Sequence, residues 1–99
     1  MKSIIIFILS LTLSGVLYAA SQSSSMRTQS GQIVSVGDSY TEMVSRLNQS
    51  PLSMNSYEYT EAGKTYTAIN YAYQIENIVY TFTVINNRIT KIEWFNQDP

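Results

Sequence analysis

The stretch Thr65–Phe95, TYTAINYAYQIENIVYTFTVINNRITKIEWF, alternates in a way that extended backbone explains. Ile69, Tyr71 and Tyr73 fall on one face of its first part, with Tyr66, Ala68 and Ala72 on the other, because side chains in a strand point to opposite faces in turn. Apolar groups on both faces mark a central strand. From Ile78 the alternation sharpens: Ile78, Tyr80, Phe82 and Val84 line one side, Thr81 and Thr83 the other. The spacing predicts a three-stranded antiparallel meander over Thr65–Phe95. Asn86-Asn87 is a strong two-residue hairpin signal, since asparagine tolerates positive φ. That register sets Phe82 opposite Lys91. A three-residue loop from Asn86 to Arg88 instead aligns Phe82 with Ile92 and Tyr80 with Trp94, and both registers stay open.

Toward the N-terminus, Tyr57 and Tyr59 alternate with Glu58 and Thr60 before the break Glu61-Ala62-Gly63-Lys64. Earlier, Ser39-Tyr40-Thr41-Glu42 is a capping box, in which the serine side chain and the glutamate three residues on satisfy two orphan amides. Tyr40, Met43, Val44 and Leu47 then recur at helical spacing as one apolar stripe suited to packing on a sheet. Asn48 can close the helix in the left-handed conformation and Pro51 cannot continue it. Ile33–Val36 is a short β-prone run. The expected class is α+β, with one or two short N-terminal helices packed on the three-stranded meander.

The polar run from Ser21 to Gln32 is expected as a flexible linker ahead of a domain over residues 33–99. Residues 1–20 carry one lysine, an apolar run from Ile4 to Leu17 broken by Ser10, Thr12, Ser14 and Gly15, and a small-residue exit at Ala19-Ala20-Ser21. That pattern predicts a signal peptide that is removed on export, because a spanning helix needs about 20 predominantly apolar residues. Cleavage after Ala19, Ala20 or Ser21 fits equally. The expected location is the periplasm.

The chain has no cysteine, so neither a disulfide nor a thioether-linked lipid anchor is available to it. With histidine absent as well, it lacks the usual nucleophile, the usual general base at neutral pH and the usual transition-metal ligands. Neither cofactor nor metal is expected. Glu58, Glu61, Glu76, Glu93 and Asp98 could in principle supply a carboxylate pair for glycosidic chemistry, but no motif supports it, and the expectation is a protein that is not an enzyme. Losing Lys2 with the signal leaves five of the six basic residues against seven acidic ones, so nucleic acid is not an expected partner.

Gly31-Gln32-Ile33-Val34-Ser35-Val36-Gly37-Asp38-Ser39, followed by Glu42-Met43-Val44, Leu47 and Pro51, resembles the SmpA/OmlA or BamE-like group of small bacterial envelope proteins. The resemblance implies an extended segment leading into a helix, then an antiparallel sheet ending in a hairpin. It also implies a role beside outer-membrane assembly. Two departures stand out: Asn48 occupies a position where the group often has glycine, and the lipid-bearing cysteine of the assembly factors is missing.

Seven of the eight tyrosines lie after the signal. Tyrosine pairs a large apolar body with a polar tip, which suits recognition surfaces as well as half-buried sheets. Tyr40 and Tyr71 or Tyr73 are expected in the core. Tyr57, Tyr59 and Tyr66, with Trp94 and Phe95, are the candidate contact surface. The expected function is an interaction module that binds another envelope protein through its sheet face or by strand addition at Ile33–Val36. The alternatives are a secreted inhibitor presenting a loop such as Ser50–Asn55 and a self-associating structural protein.

Overall fold

The computed structural model describes residues 21–97. The predicted signal segment and Asp98 lie outside the described residues. The architecture is mostly β: β1 (Ser21–Ser23), β2 (Ser25–Arg27), β3 (Ile33–Ser35), α1 (Tyr40–Leu47), β4 (Ser53–Glu61), β5 (Lys64–Ile75), β6 (Ile78–Ile85) and β7 (Arg88–Asn96). Five strands form one antiparallel sheet in the order β1-β7-β6-β5-β4, and β2 pairs with β3 in a separate ribbon. The expected α+β fold is therefore corrected. There is one helix among the described residues, and the meander of β5, β6 and β7 is flanked by a further strand on each side.

Both additions begin in segments whose composition hides a strand, although Tyr57–Thr60 of the second already alternates as a strand does. β1 is Ser-Gln-Ser, held by antiparallel pairing with β7, Ser21 opposite Trp94 and Ser23 opposite Ile92. The following Met26 is buried opposite Val34. The run read as a flexible linker thus contributes a strand to each sheet. β4 starts with Ser-Met-Asn-Ser, which carries no apolar alternation, and pairs with β5 along its whole length.

The turns carry the register. Glu61 pairs with Lys64 across Ala62 (φ 54°) and Gly63 (φ 80°), and Ile85 pairs with Arg88 across Asn86 (φ 52°) and Asn87 (φ 65°). Positive φ at both central residues matches the twist of the flanking strands. Beyond the second turn the register shifts at Thr83/Val84: Val84 faces Ile89 but Thr83 faces Lys91. Thr90 is the extra residue of a β-bulge, and its Oγ1 donates to the Thr83 carbonyl at 3.2 Å. The two-residue turn and the Phe82–Ile92, Tyr80–Trp94 pairing consequently coexist.

The helix begins as its cap dictates. Ser39 Oγ accepts from the Glu42 N–H at 3.1 Å while Glu42 Oε1 accepts from the Ser39 N–H at 3.0 Å. Asn48 ends it in the left-handed region (φ 51°). Met43 and Leu47 are buried, whereas Val44, read as part of the same stripe, is exposed. The core joins these to Met26 and Val34 of the ribbon and to one face of the sheet: Tyr71, Tyr73 and Ile75 of β5, Phe82 and Val84 of β6, Ile89 and Ile92 of β7. Tyr40 lies 5.1 Å from Tyr71 between ring centroids, and Tyr73 meets Phe82 edge-on at 5.7 Å. The segment before α1 is tied to β7 by backbone bonds, Gly37 N–H to the Ile89 carbonyl (2.8 Å) and Ile89 N–H to the Asp38 carbonyl (2.9 Å). Asp38 Oδ2 accepts from the Ser35 N–H (2.8 Å) and from Arg46 Nη1 (3.0 Å), clasping ribbon to helix.

Candidate functional site

The face of the sheet turned away from α1 holds the tyrosine cluster. Tyr59 stands directly opposite Tyr66 across β4 and β5, and Tyr57 opposite Ala68. Ring centroids are 5.5 Å apart for Tyr59–Tyr66 and 6.4 Å for Tyr57–Tyr59, both pairs tilted. Tyr57 is 47 % exposed, while Tyr59 and Tyr66 are half-buried against each other. Partial desolvation, reinforced by the nearby Glu61 carboxylate, pushes the Tyr59 phenol above its usual range. The Tyr59 hydroxyl therefore stays protonated at neutral pH and can both donate and accept hydrogen bonds.

The five candidate contact residues do not form one patch. Tyr57, Tyr59 and Tyr66 cluster at the β4–β5 turn. Phe95 shares their face but pairs with Val79, near the opposite end of the sheet. Between them run two rows of small and polar residues, Asn55–Asn70–Thr83–Lys91 and Ser53–Ala72–Thr81–Glu93. Trp94 points to the helix side, opposite Tyr80 of β6 and Ser21 of β1. Odd-numbered β7 residues beyond the bulge face one way and even-numbered residues the other, so adjacent Trp94 and Phe95 cannot share a face.

Beside the tyrosines lies the free edge of β4. The two-residue turn makes Glu61–Lys64 a hydrogen-bonded pair, so in an antiparallel ladder the odd-numbered residues of β4 direct their N–H and C=O groups to β5. Met54, Ser56, Glu58 and Thr60 direct theirs outward, where no described residue meets them. This edge was missed in the sequence because Ser53–Ser56 lacks an apolar signature. The edge expected at Ile33–Val36 is occupied: β3 pairs with β2, Arg46 Nη1 donates to the Ile33 carbonyl at 3.1 Å, and Val36 N–H to the Ser24 carbonyl at 2.9 Å. The outer edge of β7 is likewise covered, by β1 and by the Gly37–Asp38 contacts. Ser53–Asn55, read as part of a protruding loop, belongs to β4.

The acidic residues are dispersed. Glu58 and Glu61 lie on β4, Glu76 in the β5–β6 turn at φ 57°, and Glu93 on β7, 3.7 Å from the Lys91 ammonium. A hollow of about 400 Å³ between the β2 end and the β5–β6 turn is lined by Arg27, Thr28, Gln29, Ile75, Glu76, Ile78 and Tyr80, with Glu76 its one carboxylate. Among the described residues no group of three or more acidic side chains could hold a metal ion, and no helix is long and apolar enough to cross a membrane. No family model, curated protein or solved structure matches the chain.

Proposed function

We propose that this chain is a non-enzymatic protein-interaction module of the bacterial cell envelope, exported to the periplasm by residues 1–20, that engages another protein through β4 and the adjoining tyrosine face. The observation that carries this reading is the nine-residue β4, an outer strand with a bare backbone edge. Exposed edges of that length are usually shortened, bulged, charged with lysine or broken by proline, because unpaired N–H and C=O groups recruit further strands. β4 has no lysine and no proline. Strand addition supplies affinity through the backbone, and neighbouring side chains supply selectivity. Tyr57, Tyr59 and Tyr66 are placed to do so with large, rigid, amphipathic groups.

The test is capture from cell envelopes with the tagged full chain as the cell processes it, followed by mass spectrometry. The control is a variant carrying Tyr57→Ser, Tyr59→Ser and Tyr66→Ser. A partner recovered by the wild type and lost by a folded variant supports the reading. Failure of the wild type to recover any partner removes the reading, and capture indifferent to these changes, or a variant that unfolds because the tyrosines are structural, removes the tyrosine face from it.

A further inference from the structure

We infer that the occupant of the β4 edge is the β4 edge of a second copy, joined about a two-fold axis at Tyr57 into a continuous ten-stranded sheet. This rests on the reading of β4 as an interaction edge and gives that edge a second copy as its occupant. A two-fold axis perpendicular to a sheet pairs residues of equal parity, so only a few antiparallel registers are open. Centring on Tyr57 sets Met54 opposite the second copy's Thr60 and Ser56 opposite its Glu58. All four outward-facing residues then exchange backbone bonds, about eight in total. Moving the axis by one residue is worse on either side. An axis at Glu58 places that carboxylate opposite itself, and like charges directly opposite destabilise a ladder. An axis at Ser56 leaves Thr60 beyond the end of the second copy's β4.

In the favoured register Glu61 meets Ser53, so neither carboxylate of β4 faces another. The parity rule also keeps both tyrosine faces on one side of the joined sheet. Tyr57 packs on its own counterpart at a non-hydrogen-bonded position, where side chains approach closest. Tyr57, already 47 % exposed in the single chain, is covered at the centre of a six-tyrosine surface.

The absence of cysteine makes the register directly testable. Met54→Cys, Ser56→Cys, Tyr57→Cys and Tyr59→Cys are each introduced into the full chain and oxidised with diamide. Only position 57 faces itself, so Tyr57→Cys should form a covalent dimer roughly tenfold faster than the others, cross-strand Cβ distances there being compatible with a disulfide. Sedimentation of Ser56→Glu and Ser56→Lys supplies a second reading. Glutamate at 56 faces the second copy's Glu58 twice over and should weaken the dimer about tenfold, whereas lysine should tighten it. A chain that stays monomeric at every concentration, equal cross-linking at all four positions, or the same response to both charges overturns self-pairing. A monomer that still captures an envelope protein leaves the interaction reading intact.

Discussion

Deleting Thr90 should be nearly neutral, an unusual expectation for a residue inside a strand. The two-residue turn alone would pair Phe82 with Lys91 and send Ile92 and Trp94 to the wrong face. The bulge absorbs one residue and restores Phe82–Ile92 and Tyr80–Trp94. Without Thr90, the succession Arg88, Ile89, Lys91, Ile92 alternates regularly and every one of those pairs survives. The loss is the Thr90 Oγ1 bond to Thr83, worth about 0.5–1.5 kcal/mol. Against it stands the gain of an uninterrupted ladder, so the net change should lie within about 1 kcal/mol. Deleting Thr81 from β6 is the contrast, because no bulge lies between it and Phe82. One side of the strand must change faces, exposing a ring that is now 0 % accessible, at about 3–5 kcal/mol by the scale of Phe-to-Ala losses. Urea unfolding followed by fluorescence of Trp94, the sole tryptophan, measures both. Equal destabilisation by the two deletions refutes the bulged register of β6 and β7.

Phe82→Ala should cost about 3–5 kcal/mol in the same assay, a large part of the stability of so small a domain. Ser39→Ala should cost about 1 kcal/mol through loss of the cap, while Ala62→Gly should gain roughly 0.5–1 kcal/mol by relieving φ 54°. Hydrogen bonding from the Ser39 backbone N–H, aided by the Ser39 hydroxyl and by Arg46 and against a partial burial penalty, holds the Glu42 carboxyl below its usual range. Its stabilising contribution is present above the ordinary carboxylate range and fades as pH falls through the lowered value, which an acid titration of Glu42→Gln against wild type reads as a smaller loss in the variant. Burial raises the Tyr71 and Tyr73 phenols. Stability should therefore hold up to the ordinary tyrosine range and decline as pH rises through the raised values, which urea midpoints measured across that alkaline range read.

The legible parts of the fold were those where local chemistry and burial agree. The capping box, Asn48 at the helix end and the faces of β5 and β6 follow from residue types that do one thing well at those positions. The hairpin was half legible. Asn86-Asn87 announces its turn, but Thr90 gives no sign that it is the residue to be bulged, because the shift is set by the need to bury Ile92 against Phe82. β1 and the first half of β4 were illegible, since serine and asparagine at a sheet margin are held by backbone bonds to β7 and β5 and carry no periodic apolar signal. The candidate site divided along the same line. Tyr57, Tyr59 and Tyr66 come together because strand alternation and one tight turn require it, whereas Trp94 and Phe95, neighbours in sequence, are parted by that alternation.

The most direct test of the central claim, that β4 is an ordered outer strand whose open edge is the interaction surface, is residue-resolved amide hydrogen exchange over Ser53–Glu61 at low and high protein concentration. Asn55, Tyr57 and Tyr59 should be protected throughout by their bonds to β5. Met54, Ser56, Glu58 and Thr60 should exchange fast in dilute solution and become protected as concentration rises. Fast exchange at all of these positions, or fast exchange at the even-numbered ones whatever the concentration and whatever envelope partner is added, would contradict it.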